Sequence, residues 1–142
     1  MMTILIANPA LRFDLEGGAE RYFFGAGCRF PWSLRKEKQS YPRFAMFPFF
    51  LGYTAGLLER DGFDVKVIDA VPLNLSYTEF VAKTVEVKPA VILFEPATPA
   101  INRISEIARD LAQRTGARIV FAGSHVTTFP REFWRNIRTW IS

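Results

Sequence analysis

Residues 90–99, "AVILFEPATP", decide the fold class of this chain. Five apolar residues end at Phe94, and the sequence then changes to Glu95, a proline and a Thr-Pro pair. An apolar run this short, closed by proline, is typical of a strand buried on both faces of a parallel sheet. Thr98 and Pro99 suit the N-cap and first position of a helix. The stretch therefore predicts a strand that leads into a helix, which is the repeating unit of an α/β fold.

Three further apolar runs repeat this pattern. They are "TILIA" at 3–7, "VKVIDA" at 65–70 and "RIVFA" at 118–122, which join 90–95 as predicted strands. "IRTWIS" at 137–142 is interpreted as the beginning of a fifth strand, so we expect a fragment of a longer protein. Helical spacing, the "SYTE" capping box and proline or glycine boundaries predict helices over 47–60, 76–87, 98–116 and 130–134. The fold class is α/β, with a doubly wound, mostly parallel five-stranded sheet of the Rossmann or flavodoxin-like kind.

Length and composition limit the classes of protein. The 142 residues suit one domain over 1–142, and 49% of them are hydrophobic, which allows a sizeable core. No apolar run is long enough to span a bilayer and the N-terminus lacks a signal-peptide pattern, so we expect a cytoplasmic protein without a membrane partner. One cysteine, Cys28, and one histidine, His125, exclude an internal disulfide and a zinc site built from several such ligands.

A long insertion, about 9–46, separates the first strand from the first helix. Insertions at the carboxyl end of a central strand usually build part of a ligand site, although this one could also be an excursion packed on its own aromatic residues. Residues 29–43 carry the excess positive charge of the chain among aromatic side chains. No nucleic-acid motif accompanies them, so we expect no nucleic-acid partner and interpret the segment as a docking face, a cap or a solvated loop.

Ligands of open parallel sheets bind outside the carboxyl ends of the strands. The predicted site residues therefore follow the four strands: Asn8, Pro9, Asp69, Glu95, Pro96, Ala97, Thr98, Gly123, Ser124, His125 and Thr127. The dinucleotide fingerprint, the phosphate-binding lysine loop, the acidic pair of a phosphorelay receiver and the nucleophile elbow are all absent from the sequence. Cys28 and His125 alone are too common a pair to indicate nucleophilic catalysis, so no catalytic residue is predicted.

The ordered motifs resemble the cobalamin-binding domain that precedes the catalytic barrel of cobalamin-dependent radical-SAM enzymes. They are "ILIANPA" at 4–10, "CRFPW" at 28–32, "FPFFLGYTAGLLERDGFDVKVIDA" at 47–70, "FEPATP" at 94–99 and "AGSHVTTFPRE" at 122–132. The resemblance covers nearly the whole chain and implies cobalamin as the cofactor. By position it assigns the nucleotide-tail loop to Gly123, Ser124, His125 and Thr127, the tail-pocket wall to 95–99, and the corrin-facing exit to Asn8 and Pro9.

Departures from the family pattern refine what the resemblance implies. Glu95 stands where serine is usual, and no histidine follows the first strand. Base-off cobalamin without a protein histidine on cobalt is therefore expected, with His125 beside the tail or simply in a surface turn. The family's radical chemistry uses three cysteines to hold a [4Fe-4S] cluster that cleaves S-adenosylmethionine. This chain has one cysteine, so the resemblance implies a radical-SAM barrel elsewhere in the same polypeptide, possibly that of a methyltransferase.

Two other functions remain open at this point. The same strand ends suit a flavodoxin-like domain that binds flavin or a nucleotide. A domain that has lost its ligand and serves protein interaction would equally explain the carboxylate at Glu95, since a buried carboxylate needs a partner or water.

Overall fold

Strands and helices alternate along most of the chain, in a computed structural model that describes residues 2–9, 11–15, 19–23, 33–36 and 47–137. The strands are β1 (Thr3–Asn8), β2 (Leu11–Leu15), β3 (Ala19–Phe23), β4 (Ser33–Lys36), β5 (Asp64–Asp69), β6 (Val91–Phe94) and β7 (Arg118–Phe121). The helices are α1 (Phe49–Arg60), α2 (Tyr77–Val87), α3 (Ile101–Thr115), α4 (Ser124–Thr128) and α5 (Pro130–Ile137). The four apolar runs of the sequence all form strands, within one or two residues of the predicted bounds.

The central sheet is parallel and has the strand order β5-β1-β6-β7. From β1 the chain first adds β5 on one side and then β6 and β7 on the other, so the order reverses beside β1. In-register pairs join Ala7 to Phe94 and Phe94 to Phe121, which brings the carboxyl ends of the three strands to the same edge. That edge, at a reversal of strand order, is where open α/β sheets bind ligands.

Helices cover both faces of this sheet, as the doubly wound prediction requires. Because side chains alternate along a strand, Ile6 and Leu93 face α1, where they pack with Leu51 and Ala55. Leu5, Ala7, Ile92 and Phe94 belong to the larger core, which α2 and α3 complete with Phe80, Ile104, Ala108 and Leu111. Burial of this apolar surface is the main stabilising contribution to the fold.

The predicted helix boundaries are mostly confirmed. Ser76 and Glu79 form the reciprocal capping box of α2, and Gly116 ends α3 in the left-handed conformation with φ 71°. Thr98 and Pro99 do not begin α3 as N-cap and first residue. They form a short 3-10 turn, Thr98–Ala100, and α3 itself begins at Ile101.

Two predictions at the end of the chain differ from the structure. Ile137 is the last residue of α5 rather than the first of a fifth strand, and residues 138–142 lie outside the described residues. The parallel sheet therefore has four strands over the part of the chain that is described. The amphipathic spacing of 130–137 continues past Trp134, with Phe133 and Ile137 both buried, and this explains the longer helix.

The insertion contains a second sheet that the sequence analysis missed. β2, β3 and β4 pair antiparallel in that order, so part of 9–46 is regular structure. The "EGG" sequence at 16–18, between two short runs of strand-forming residues, was the available hairpin signal. Cys28 and most of the basic segment 29–43 lie outside the described residues.

Candidate functional site

A cavity of about 580 Å³ opens at the carboxyl ends of β6 and β7, on the face of the sheet that α1 covers. We call it the exit cavity. Its lining comes from α1, the end and exit of β6, the exit of β7, and α4: Phe50, Leu51, Thr54, Leu93, Glu95, Pro96, Ala97, Ala122, Gly123, Ser124, Thr127 and Thr128. The volume falls within the range of small-molecule and cofactor sites.

The backbone at Gly123 shapes one wall of the exit cavity. Gly123 has φ 99° and ψ 179°, a conformation open essentially to glycine alone. A Cβ atom at this position would lie 2.7 Å from Cγ of Glu95. The Gly123 carbonyl accepts hydrogen bonds from the amide and the hydroxyl of Thr127, at 3.1 and 2.9 Å, which fixes the first turn of α4. The chain can therefore leave β7 close beside the exit of β6 only because this residue has no side chain.

Glu95 is the only charged residue among those that line the exit cavity. Its side chain is buried, with 9% of the residue exposed, and its Oε2 atom has no hydrogen-bond partner among the described residues. Burial raises the pKa of the Glu95 carboxyl above its ordinary value. Burial therefore favours the neutral form of this carboxyl more than it would for an exposed glutamate.

A second polar cluster joins the ends of β1 and β5. Asn8 Nδ2 donates to Asp69 Oδ1 at 3.0 Å, and the Val71 amide donates to the same oxygen at 3.2 Å. Burial raises the pKa of Asp69, although the hydrogen bonds from Val71 and Asn8 act in the opposite direction. Asn8 is 5% exposed, and its Oδ1 atom has no partner among the described residues. This cluster holds the two strand ends together and lies outside the lining of the exit cavity.

His125 and Thr98 lie together at a different cavity. His125 Nδ1 is 3.0 Å from Thr98 Oγ1, and the imidazole packs against the Phe129 ring at 5.4 Å between centroids. Both residues line a cavity of about 600 Å³ between α3 and α5, with Ile101, Asn102, Ser105, Glu106, Arg109, Phe129, Glu132, Phe133 and Ile137. His125 is thus absent from the lining of the exit cavity, although its neighbour Ser124 belongs to it.

The structure brings together six of the predicted site residues: Glu95, Pro96, Ala97, Gly123, Ser124 and Thr127. It separates from them the Asn8–Asp69 cluster, Pro9, and the Thr98–His125 pair. Six lining residues were not among the predicted site residues: Phe50, Leu51, Thr54, Leu93, Ala122 and Thr128. The spacing of Phe50, Leu51 and Thr54 on one face of a predicted helix was a usable signal for the wall that α1 contributes.

The described residues form neither a metal-binding cluster nor a membrane-spanning helix. Within the described residues, no group of three or more His, Cys, Asp or Glu side chains is arranged to hold a metal ion. None of the described helices is long and apolar enough to cross a membrane.

Comparison with known proteins gives one result. Residues 43–139, more than half of the chain, match the family described as the B12 binding domain. No curated protein and no solved structure matched the chain. The matched segment includes the whole lining of the exit cavity. The chain therefore belongs to the B12-binding domain family, and cobalamin is the cofactor that this membership indicates.

Proposed function

We propose that this chain holds cobalamin in the base-off form, with its nucleotide tail in the exit cavity, as the corrinoid-binding module of a radical-SAM enzyme. One observation carries the proposal. The strand exits that resemble the tail-binding segments of that family contribute Glu95–Ala97 and Gly123, Ser124 and Thr127 to the lining of a single cavity at the carboxyl ends of β6 and β7.

The residues of the exit cavity fit a flat aromatic base with a ribose and phosphate attached. Phe50, Leu51 and Leu93 supply an apolar wall, and the absence of a side chain at Gly123 leaves room beside Glu95. The buried Oε2 atom of Glu95 offers a hydrogen-bonding group that no described residue uses. When bound, cobalamin would supply a cobalt that carries a methyl group, and the residues of this chain would bind and orient the tail and exclude water from it.

The absence of a histidine ligand on cobalt is supported by the position of the only histidine. His125 is engaged by Thr98 and Phe129 beside the other cavity, between α3 and α5. The exit of β1, where an axial histidine would be expected in other cobalamin domains, carries Asn8 and Pro9. We therefore propose a cobalt without protein imidazole coordination.

The radical-SAM part of the proposal rests on the resemblance of the ordered motifs. A [4Fe-4S] cluster held by three cysteines cannot form on a chain whose only cysteine is Cys28, so the cluster and S-adenosylmethionine would belong to a barrel of the same polypeptide. Phe49, Phe50 and Tyr53 are exposed on α1 beside the exit cavity. An exposed aromatic surface of this kind suits packing against a neighbouring domain. Methyl transfer is the reaction we propose for the complete enzyme.

Binding of hydroxocobalamin and methylcobalamin to the purified chain tests this function, measured by gel filtration and visible spectroscopy. We expect co-elution, a base-off spectrum, and the same spectrum in His125→Ala. Ala122→Phe, which places a ring in the exit cavity, should abolish co-elution. Ala82→Phe, at an exposed position of α2 away from the cavity, is the matched control and should bind normally.

Three results would contradict the proposal. A folded chain that retains no corrinoid would contradict the proposed cobalamin binding. A spectrum that changes in His125→Ala would contradict the proposal that no protein histidine coordinates the cobalt. Equal binding of corrinoid by Ala122→Phe and wild type would contradict the proposed location of the tail in the exit cavity. Retention of flavin or a nucleotide instead, which visible and ultraviolet spectra distinguish from a corrinoid, would favour the flavodoxin-like alternative.

A further inference from the structure

The unmet hydrogen-bonding capacity of Glu95 has a consequence for the kind of corrinoid the exit cavity accepts. Its carboxyl group is buried, and Oε2 has no partner among the described residues. A buried polar atom without a partner destabilises the structure by about 1–3 kcal/mol, so a ligand that supplies the missing partner binds more tightly.

No described residue of the cavity makes a hydrogen bond to Oε2 of Glu95. The hydroxyls of Thr54 and Thr127 donate to the carbonyls of Phe50 and Gly123, at 2.8 and 2.9 Å. No lysine, arginine or histidine lines the described cavity. Oε2 of Glu95 is therefore open to a hydrogen-bonding group of a ligand.

The carboxyl group of Glu95 determines which hydrogen-bonding groups would pair with it on the ligand. Whether neutral or ionised, the carboxyl accepts a hydrogen bond, and in the neutral form, which burial favours, it also donates one. A benzimidazole base has a ring nitrogen that accepts but no donor on its ring. An aminopurine such as adenine presents a ring nitrogen that accepts next to an amino group that donates. Of these two bases, only the aminopurine can both accept a hydrogen bond from a neutral carboxyl and donate one to it.

We propose that Glu95 makes the exit cavity selective for corrinoids whose lower base is an amino-substituted purine, in preference to those with a benzimidazole base. The inference rests on the proposed insertion of the nucleotide tail into this cavity and adds the class of base that the cavity selects. The carboxyl of Glu95 pairs with the amino group and ring nitrogen of the base, while Gly123 leaves the space that the pairing requires.

Equilibrium titration of the 142-residue chain tests the inference with four probes: an adenine-tailed corrinoid, cobalamin, cobinamide without a base, and adenosine. We expect the adenine-tailed corrinoid to bind about tenfold more tightly than cobalamin, the factor that corresponds to one buried polar group gaining its partner. Glu95→Gln keeps a donor and an acceptor in the same place and should retain the preference. Glu95→Leu is close in size without either group and should bind the two tailed corrinoids equally.

The outcomes separate this inference from the proposed function. Tight binding of cobalamin and the adenine-tailed corrinoid with equal affinities in wild type would overturn the inference and leave corrinoid binding intact. Affinities no greater than that of cobinamide would show that no base enters the cavity and would overturn both. Adenosine binding as tightly as the adenine-tailed corrinoid would assign the cavity to free nucleosides. The ratio of the wild-type affinities for the adenine-tailed corrinoid and cobalamin tests the inference even if Glu95→Leu fails to fold.

Discussion

Gly123 and Glu95 pack against each other so closely that a Cβ atom on Gly123 would lie 2.7 Å from the Glu95 Cγ. The exits of β6 and β7 meet at this contact, and the exit cavity forms beside it. The contact also places the left-handed backbone of Gly123, at φ 99°, next to the one acidic residue of the cavity. Both residues are therefore points at which single substitutions test the site.

Gly123→Ala should destabilise the protein by about 2–4 kcal/mol, because it adds backbone strain and a steric clash with Glu95. The measurement is urea denaturation. Gly116→Ala separates the two effects, since Gly116 has φ 71° but no atom within 4 Å of the added Cβ, and it should lose only about 1–2 kcal/mol. Gly56→Ala, in α1 with ordinary φ and open space, should be up to about 1 kcal/mol more stable than wild type.

The steric part of the Gly123 effect should disappear in the background of Glu95→Ala, which removes the Cγ atom. A double-mutant cycle measures this coupling, and we expect about 1–2 kcal/mol of favourable interaction between the two substitutions. Strictly additive effects would mean that the two exits do not meet as the structure describes.

Glu95→Gln should stabilise the unliganded protein at neutral pH. Folding raises the pKa of the Glu95 carboxyl from its ordinary value of 4.5 because burial penalises the charged form. The wild type is therefore fully stabilised below that value and loses stability as the pH rises through the raised pKa. Thermal denaturation from pH 4 to pH 8 should show that the stability of the variant relative to wild type increases with pH. A difference that is constant with pH would contradict the assignment of the effect to Glu95 ionisation.

Asn8→Asp should destabilise the protein by about 2–4 kcal/mol at pH 7, because it places a second carboxylate against the half-buried Asp69. The loss should shrink as the pH falls, since one proton then allows the two carboxyls to share a hydrogen bond. Thr3→Val is the matched control at the other end of the same strand pair, where the Thr3 hydroxyl donates to Asp64 at 2.6 Å near the surface. Denaturation midpoints at pH 5 and pH 7 should show a larger loss for Asn8→Asp than for Thr3→Val, and equal losses would contradict the prediction.

Ser76→Ala should destabilise the fold by about 1 kcal/mol without changing the affinity for corrinoid. The substitution removes the capping oxygen that accepts from the Glu79 amide at 3.3 Å, at the start of α2 and away from the exit cavity. Thr78→Ala, at an exposed position two residues further along, controls for the change in helix propensity. It should leave the free energy of unfolding unchanged or slightly higher. A parallel loss of corrinoid affinity in Ser76→Ala would show that the cavity depends on α2.

Much of the fold follows from local sequence signals. The apolar runs ending at Asn8, Asp69, Glu95 and Ala122 are all strands, although only β1 is buried along almost its whole length, and the edge strands β5 and β7 are partly exposed. The α2 capping box and the Gly116 stop of α3 lie where the sequence predicts them, since both depend on contacts between near neighbours in the chain. The end of α5 was missed because helix and strand patterns are hard to separate in a short apolar run such as 137–142.

Contacts between distant segments determine which residues line the exit cavity. Phe50, Leu51 and Thr54 reach it because α1 packs over the exits of β6 and β7, although 40 residues of chain lie between Thr54 and the nearer exit at Glu95. Leu93 faces α1 and the cavity while its neighbours Ile92 and Phe94 belong to the opposite core. No local pattern states which face of the sheet a given helix will cover.

The five residues after β7, 123–127, show which features local sequence signals predict and which depend on contacts with distant segments. Local sequence signals predict that 123–127 follows a strand at the ligand-binding edge of the sheet and that Gly123 allows a sharp exit. Those signals do not predict that the segment forms the helix α4, in which Ser124, Thr127 and Thr128 line the exit cavity while His125 contacts Thr98. The physical reason is the rotation of about 100° per residue along a helix, which separates adjacent side chains and unites those three and four apart.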